Sequence, residues 1–520
     1  YHAGDSWELA SPDLTRNDAS KLGSSGGPIT KDNTSVEYYC TIFAVNESPY
    51  EKDLIVAGSD DGLLHLTRDG GKNWEKITPS GMPEWMMFNS VEFDPHAKGS
   101  IYVAGTRYKM GDYEPYLYKS KDYGKTWVRI TEGIKAPHFT RVLRVDPKRA
   151  GLLYAGTEYG MYISFDDGAS WKSFQLNLPI VPITDLTIKN NNLIAATQGR
   201  SFWLLDDLTP LHQLNNSVAQ SDFHLYKPMD SYRMNGGAAG WRGAPKNEGK
   251  NHPNGVMIHF YLKDTTKAQV ALEILESGGT LIKKYSTKPD KKAKEESLKI
   301  GEGMNLFNWN MRYADAEGFD GLIMWAARLT GPKAAPGIYK ARLTVNGKSQ
   351  ETEFEILKDP RTSGTLADIQ AQVAFQMSVR DKLTDTHKAI KKIRTAREQI
   401  NRVTEPMKGK EDMKEVNDLA KSILEDMKKI EEALYQTKNR SGQDPLNYPV
   451  RLNNKLAALS GETDGSDYAP SAQVKAVYKE VTEKIDEQLR ALDSIFKDRV
   501  PKFNEAVKQK QVSAITLEAL

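Results

Sequence analysis

Disulfides, clustered histidines and phosphate-binding loops are missing from this sequence. Cys40 is the single cysteine among 520 residues, so the chain can form no internal disulfide and no multi-cysteine metal site. The nine histidines show no pair at metal-ligand spacing, and no Gly-rich phosphate loop joins a strand to a helix. The sequence therefore predicts neither a metal nor any other cofactor.

The sequence also lacks an excess of charge of either sign. Lysine and arginine total 71 and aspartate and glutamate total 69, which leaves a formal net charge of +2. This balance creates no strong field for nucleic acid, and no nucleic-acid recognition motif is found. No apolar run is long enough to span a bilayer. The sequence therefore predicts no nucleic-acid partner and no membrane-spanning segment.

What the chain does have is one eight-residue pattern, Ser/Thr-x-Asp-x-Gly-x-x-Trp, in three copies. The copies recur roughly every 50 residues, which is the period of a four-stranded propeller blade. They stand at residues 67–74, 120–127 and 164–171. In each copy we expect the aspartate to accept backbone N–H groups across a hairpin turn and the glycine to adopt a positive φ. The tryptophan should fill the gap between neighbouring sheets.

The flanks of these turns repeat as well. Strands that end in a small-residue step precede them, and the runs VEFDP and LRVDP stand further upstream. A degenerate fourth unit follows at 183–207, and residues 1–7 keep the Gly and Trp but have His2 where the aspartate belongs. The sequence therefore predicts four blades and a remnant. Because an incomplete ring leaves raw sheet edges, we expect further blades upstream in a longer protein, of which this chain is the C-terminal portion.

The hydrophobic period changes twice after the repeats. A Gly-rich stretch is followed by short runs in which apolar and polar residues alternate, separated by turn residues. Such runs are typical of an immunoglobulin-like sandwich. A period of 3.6 then continues to the end of the chain and predicts a helical bundle. The fold class is therefore mainly β with an α-helical C-terminus. The expected segments are the partial propeller, a linker, the sandwich and the bundle, at 1–215, 216–254, 255–360 and 361–520.

Cap and breaker residues divide the helical segment. Thr365 is expected to cap a first helix that Pro406 ends. Two further helices carry apolar stripes at helical spacing, and a last helix is expected to end near Pro501.

Several segments resemble a family of large bacterial proteins known as BNR-repeat, Asp-box or sortilin-type glycosyl hydrolase-like proteins. The segments that carry the resemblance include GSDDGLLHLTRDGGKNW, LLYAGTEYGMYISFDDGASW, GRSFWLLDDLTPL and KNRSGQDPLNYPVRLNNKLAAL. The resemblance implies further propeller blades upstream and an exported protein located in the periplasm, on the outer-membrane surface or outside the cell. It implies no particular reaction, because the glycosidase label of the family rests on turn motifs.

Candidate site residues lie where blade phase places the innermost strands and the loops between blades. Glu158 and Asp185 are the carboxylates that could act as acid and base on a sugar bond. Arg107, Arg141 and Arg200 could hold a substrate carboxylate. The alternative is that these charges pair with one another and tie the blades together.

The segment RYKMGDYEPYLY is predicted to be a long loop that lengthens one blade. It offers Tyr108, Tyr113 and Tyr116 beside charged side chains. Aromatic rings mixed with charges suit a peptide or glycan surface. The alternative is that these tyrosines pack against another part of the protein.

Two functions remain open. In the first, the chain is a binding or scaffold component for peptide or glycan ligands at the bacterial cell envelope, within a larger envelope complex. In the second, it is a glycoside hydrolase, sialidase-like or glucanase-like, with its site in the propeller channel. The sequence shows no complete catalytic set, which favours the first.

Overall fold

The computed structural model describes residues 5–26, 31–32, 39–234, 249, 251–290 and 295–510. The chain divides into two compact units, Tyr1–Leu214 and Asn215–Leu520. His2, which breaks the repeat pattern, lies outside the described residues, as does most of the Gly-rich run between 235 and 250.

The first unit contains four antiparallel sheets that follow one another along the chain. Sheet 1 consists of β3 (Ile42–Glu47), β4 (Ile55–Ser59), β5 (Leu64–Thr67) and β6 (Glu75–Lys76). Sheet 2 consists of β7 (Met87–Phe93), β8 (Ile101–Arg107), β9 (Asp112–Ser120) and β10 (Val128–Arg129). Sheet 3 consists of β11 (Thr140–Val145), β12 (Leu153–Thr157), β13 (Gly160–Ser164) and β14 (Lys172–Ser173). Sheet 4 has three strands, β15 (Ile183–Lys189), β16 (Asn192–Thr197) and β17 (Phe202–Leu205).

Short elements complete the described part of this unit. They are the paired strands β1 (Ser25–Gly26) and β2 (Lys31–Asp32), two 3-10 helices (Ala19–Lys21 and Tyr108–Met110) and α1 (Thr209–Gln213). The segment predicted to be a long loop is instead this second 3-10 turn followed by the nine-residue strand β9.

Consecutive sheets pack face to face through separate apolar cores. One core joins sheets 1 and 2, a second joins sheets 2 and 3, and a third joins sheets 3 and 4. A glycine in the second strand of a sheet permits this close approach, as Gly58 and Gly156 show. A Cβ on Gly58 would lie 2.7 Å from the Cβ of Phe88, and one on Gly156 would lie 2.8 Å from Cγ2 of Ile183 in the next sheet.

The three repeated turns share one geometry, and we call them the aspartate turns (67–74, 120–127 and 164–171). In each, Oδ1 of the aspartate accepts the backbone N–H four residues later at 2.9 Å, in the pairs Asp69–Asn73, Asp122–Thr126 and Asp166–Ser170. Hydrogen bonds to Asn73 and Thr126 hold the pKa of Asp69 and Asp122 down to about 2. The turn chemistry expected from the sequence is confirmed.

The tryptophan of each aspartate turn joins its own sheet to the segment before it. Each indole Nε1 donates to a backbone carbonyl, in the pairs Trp74–Ala10 at 3.2 Å, Trp127–Ile77 at 2.8 Å and Trp171–Ile130 at 2.7 Å. The glycines allow this contact, because a Cβ on Gly124 or Gly168 would come within 2.7 Å of the same isoleucines. The repeats therefore connect neighbouring sheets, as predicted.

The second unit begins with α2 (Asn216–Gln220) and a two-sheet sandwich. Sheet 5 has the order β18 (Phe223–Leu225), β20 (Val256–Leu262) and β24 (Gly303–Trp309). Sheet 6 has the order β19 (Ser231–Arg233), β26 (Lys348–Lys358), β25 (Gly337–Val345), β21 (Val270–Glu276), β22 (Leu281–Ser286) and β23 (Glu296–Ser297). Their shared core includes Trp309, which is fully buried.

Strands β18 and β19 lie inside the stretch 216–254 that we expected to be a linker. Each has three residues, too few to show a hydrophobic period. They form because long strands of the sandwich supply their hydrogen-bond partners, β20 for β18 and β26 for β19.

The helices follow the sandwich. They are α3 (Leu366–Thr404), α4 (Lys414–Leu434), α5 (Leu452–Asp464), α6 (Ala472–Ser494) and α7 (Val500–Gln509), with 3-10 helices at Glu405–Met407, Glu411–Met413 and Asp444–Leu446 and a π-helix at Ile495–Arg499. Thr365 and Asp368 form a capping box at the start of α3, so the predicted cap is confirmed. Across the described residues no helix is both long and apolar enough to cross a membrane.

The end predicted near Pro501 is wrong. The π-helix connects α6 directly to α7, and Pro501 lies in the first turn of α7. Pro501 directly follows the π-helix, and such an interruption of the regular hydrogen-bond ladder lets a proline stand within a continuing helix.

Candidate functional site

Loops at one end of sheets 2 and 3 bring aromatic rings together. Tyr108 follows β8 and stacks on Phe139, which precedes β11, with ring centroids 5.5 Å apart and planes inclined by 21°. Tyr113 lies 6.0 Å from the same Phe139 ring and is 51% exposed. Phe139 itself is only 5% exposed and supports the two tyrosines from below.

An arginine–carboxylate pair borders these rings. Nε and Nη2 of Arg141 lie 2.7 and 2.6 Å from Oε2 of Glu158. The Arg141 guanidinium carbon lies 5.2 Å from the Phe139 ring centroid and 5.7 Å from that of Tyr108. Both cation–π contacts and the ion pair therefore hold Arg141 in one orientation.

A second arginine organises the base of the β8–β9 turn. Arg107 donates from Nη1 to Oδ2 of Asp112 at 2.5 Å and from Nε to the carbonyl of Glu84 at 2.8 Å. Tyr116 donates its hydroxyl to the same Asp112 oxygen at 2.7 Å and is only 5% exposed. Burial and the neighbouring carboxylate raise the pKa of Tyr116 to about 12. Tyr116 therefore supports the turn from beneath the surface.

The same end of the strands carries further rings. Tyr39 precedes β3 and meets Trp85, which precedes β7, edge to face at 5.8 Å. Lys109 links the two groups, because it follows Tyr108 in the chain and its Nζ lies 4.9 Å from the Tyr39 ring. We call this set the aromatic surface; its members are Tyr39, Trp85, Tyr108, Tyr113, Phe139 and Tyr159.

Tyr159 extends the aromatic surface on the side of sheet 3. It follows Glu158 in the chain, is 46% exposed and lies 4.9 Å from the His138 ring. Burial lowers the pKa of His138 below its ordinary value, and the Lys135 charge adds to that shift. The imidazole is therefore neutral near pH 7 and contributes as a ring and hydrogen-bond partner rather than as a cation.

The first strands of all four sheets line one cavity of about 550 Å³. Arg144 on β11 projects there and donates to Oε2 of Glu92 on β7 at 3.2 Å and to Oδ1 of Asp185 on β15 at 2.7 Å. Burial raises the pKa of Glu92 to about 7, although Arg144 opposes this shift. One guanidinium thus connects three consecutive sheets.

The structure brings together five of the eight site residues predicted from the sequence. Arg107, Tyr108, Tyr113, Arg141 and Glu158 lie in the contacts around Phe139 and the β8–β9 turn.

Tyr116 lies beneath the same turn, where it is buried and shares Asp112 with Arg107. The other two predicted residues lie apart from that set. Asp185 belongs to the Arg144 contacts on the inner strands. Arg200 is exposed and donates to the carbonyl of Gly199.

Sequence reasoning missed Phe139, Tyr159, Glu92 and Arg144. The sequence did contain a signal for Phe139. Aligning VEFDP with LRVDP places residues 133–141, which include Phe139, in register with residues 81–89, which include Trp85 of the aromatic surface. The same alignment puts Arg144 opposite Glu92, and opposite charges at one position of neighbouring repeats favour an ion pair between sheets. Asp185 could not be added in this way, since its unit lacks the DP run.

No protein-family model matches the chain. An oligoxyloglucan-reducing end-specific xyloglucanase of Emericella nidulans is 29% identical over 99 residues, which are 19% of this chain and 12% of that enzyme. The chain therefore spans a small part of the length of this curated relative, and 13% of a second, probable xyloglucanase of Neosartorya fischeri.

Solved structures show low overall similarity. YCF48 bound to D1 peptide is similar over 61% of this chain and 81% of that one, with 14% identity and a TM-score of 0.26. The GH74 xyloglucanase from Xanthomonas campestris is similar over 61% of this chain and 45% of that one, with the same identity and TM-score. The BNR-repeat and sortilin-type names stay predictions.

Proposed function

We propose that the first unit is part of a β-propeller whose aromatic surface binds a peptide or glycan ligand, and that the chain acts as a binding or scaffold component at the bacterial cell envelope. The observation that carries the binding proposal is the aromatic surface itself. It combines half-exposed tyrosines with arginines that are held in place by carboxylates and rings.

The propeller part of the proposal rests on packing. Four consecutive sheets stack through separate cores, and their first strands border one cavity. Radial stacking of four-stranded sheets about a central channel is the arrangement that defines a propeller.

Exposed apolar side chains at both ends of the row support the proposal of further blades. Phe43 and Val45 on β3 are 54% and 60% exposed, and Phe202 and Leu204 on β17 are 79% and 52% exposed. Such faces are stabilised when another sheet covers them. We propose that sheets of the same repeat cover these ends.

The segment 7–10 adds support at the sheet 1 end. Trp7 and Ala10 have the same three-residue spacing as Trp74 and Ile77. The carbonyl of Ala10 accepts the indole N–H of Trp74, as that of Ile77 accepts the indole N–H of Trp127. Residues 7–10 thus make the contact that residues 74–77 make in the next repeat, and Trp7 is 90% exposed, which leaves it open to the sheet that we propose.

Ligand binding is tested with the full chain against peptide and glycan arrays. Tyr113→Ala and Tyr159→Ala remove exposed rings and should each weaken binding of the captured ligand by about tenfold, because an aromatic contact contributes about 0.5–1.5 kcal/mol beyond the burial of its area. Tyr50→Ala is the matched control, since Tyr50 is 43% exposed and lies in the β3–β4 turn at the other end of the strands. Equal losses in all three variants would count against the aromatic surface.

A glycoside hydrolase is the second candidate, and the match to the xyloglucanases favours it. Glu158 and Asp185 would be the acid and base. Each now accepts hydrogen bonds from an arginine, so a substrate would have to displace or share that arginine. The test is whether the chain hydrolyses xyloglucan oligosaccharides. Hydrolysis that is abolished by Glu158→Gln or Asp185→Asn would establish the enzyme and overturn the proposal of binding alone.

We also propose the division 1–215, 216–254, 255–360 and 361–520 as functional segments, and an extracytoplasmic location. The location rests on the resemblance to exported bacterial proteins. Cell fractionation with a tagged full-length protein checks it, and recovery in the cytoplasmic fraction alone would contradict it.

A further inference from the structure

A cavity of about 440 Å³ lies in the second unit, between the connection from β24 to β25 and the helices. One wall is the segment from Ala326 to Pro332, and the other is α5 together with Gln376 of α3. Both walls include small residues, among them Gly331, Ala457 and Gly461. Its volume is within the range of small-molecule sites.

Gln376 presents an acceptor that has no partner. The side chain is 2% exposed and donates from Nε2 to Oγ1 of Thr463 at 3.0 Å. Its Oε1 is buried and accepts no hydrogen bond within the described part of the chain. Because an unpaired buried acceptor is costly, a ligand that donates an O–H or N–H there gains that free energy.

Arg328 is the complementary group at the rim. It lines the cavity, is exposed and makes no ion pair or hydrogen bond with any residue that the structure describes. By contrast, the other lining arginine, Arg312, is already held by both carboxylate oxygens of Asp464, at 3.3 and 2.7 Å. Arg328 is thus free to bind a carboxylate with two N–H groups.

The charges behind the cavity add to this preference for an anion. Arg233 and Arg312 pair with Asp467 and Asp464, while Lys333 beside them donates to the carbonyl of Met234. Burial, together with the charges of the two arginines, lowers the pKa of Lys333 to about 8. A third carboxylate, Asp315, accepts the backbone N–H of Gly331 at 2.9 Å. Counted with Arg328, the four cations still exceed the three carboxylates by one charge.

Two hydroxyl groups complete the lining. Thr330 on one wall and Ser460 on the other have side chains that form no hydrogen bond among the described residues. Each can both donate and accept. Apolar contact comes from Ala327, Pro332 and Ala457.

We propose that this cavity binds a small hydroxylated carboxylate of about monosaccharide size, such as a sugar acid. The carboxylate pairs with Arg328, a ligand hydroxyl donates to Oε1 of Gln376, and the remaining hydroxyls contact Thr330 and Ser460. The site is separate from the aromatic surface and does not depend on the function proposed for it.

D-glucuronate is the probe, measured by isothermal titration calorimetry against the full chain. D-glucose lacks the carboxylate and propionate lacks the hydroxyls, so each should bind at least about tenfold more weakly than glucuronate. Arg328→Gln should weaken glucuronate by a similar factor of about ten, since it removes the charge but keeps two N–H donors.

Gly461→Leu tests the place of binding without threatening the fold. Gly461 lies inside α5, its φ is not in the left-handed region, and a Cβ there meets no heavy atom within 4 Å. Leucine is also a better helix former than glycine. The variant should fill the cavity and abolish glucuronate binding, with the melting temperature of the second unit unchanged or raised.

Gly442→Leu is the matched control, because a Cβ there is also unhindered and Gly442 does not line the cavity. It should bind glucuronate like the parent protein. Absence of saturable glucuronate binding, or binding that Gly461→Leu leaves intact, would overturn the proposal.

Discussion

Arg144 links more elements than its single position on β11 would indicate. Its guanidinium donates five hydrogen bonds, to acceptors on β7, β11 and β15. The side chain is 24% exposed, as against 18% for its partner Glu92. An arginine that satisfies this many groups at a junction of sheets is a structural residue, and its loss leaves carboxylates unpaired.

Arg144→Met should lower the free energy of unfolding of the first unit by about 3 kcal/mol, because Glu92 and the inner-strand acceptors lose their donor. Urea unfolding followed by tryptophan fluorescence measures this. Arg200→Met is the control, since Arg200 is exposed and forms no ion pair among the described residues. A change of equal size in both variants would show that Arg144 has no special role.

Glu92 should make the stability of the first unit depend on pH. Burial raises its pKa from an ordinary 4.5 to about 7, so the folded state binds this proton more tightly than the unfolded state. The contribution to stability is therefore full below about pH 4.5 and is lost as the pH rises towards 7. Unfolding free energies between pH 4.5 and 8 measure the loss.

Glu92→Gln should flatten this part of the pH profile, because glutamine cannot ionise. Glu114→Gln removes a carboxylate whose side chain is 54% exposed and should leave the profile as it is. A decline between pH 4.5 and 7 that is the same in Glu92→Gln as in the native protein would refute the assignment to Glu92.

At the scale of elements, the aspartate turns act as connectors between sheets. The aspartate and the serine or threonine shape the turn, while the tryptophan reaches the segment before it. Trp171 is 3% exposed and belongs to the core between sheets 2 and 3. Trp7 occupies the corresponding repeat position and is 90% exposed.

Trp171→Ala should therefore destabilise the first unit by about 3–5 kcal/mol, since it opens a cavity and frees the carbonyl of Ile130. Trp7→Ala should change the stability by less than about 0.5 kcal/mol. Thermal denaturation monitored by near-UV circular dichroism compares them. Similar melting temperatures for the two variants would mean that the tryptophan contact does not hold the sheets together.

At the scale of the whole molecule, the chain contains two compact units with cores of their own. Compact units of this kind can each unfold as one cooperative body. Ile390 on α3 is fully buried in the helical core of the second unit, and Trp171 is 3% exposed in a core of the first.

Differential scanning calorimetry of the full chain should show two transitions. Ile390→Ala should lower the second unit's transition alone, by about 2–5 kcal/mol, and Trp171→Ala should lower only the other. A single transition that both variants shift equally would show that the units unfold together.

Elements with local signals were predictable from the sequence. The aspartate turns, the alternating strands β20, β21, β25 and β26 and the capped helix α3 each follow from residues within one segment. Burial of single side chains was less predictable: Trp309 is fully buried, whereas Trp325 in the same unit is 39% exposed. Tryptophan alone does not determine burial, because the neighbouring elements decide it.

The candidate site depended on contacts between segments far apart in the chain. Tyr108 and Arg107 were found as a charged aromatic run, but Phe139, which supports them, comes from another sheet. The sequence suggests Asp185 and Glu158 as an acid–base pair, yet each carboxylate is bound by a different arginine of β11: Arg144 for Asp185 and Arg141 for Glu158. Residue types were thus visible in the sequence, but their pairing was not.

The sequence by itself determined the repeat, the turn chemistry and the order of β and α segments, because hydrogen bonds within eight residues and hydrophobic periods are local properties. The tertiary structure alone decided which rings meet, which carboxylates are neutralised and where Gln376 and Arg328 face one cavity. Those outcomes depend on the packing of whole sheets and helices, which no single segment encodes.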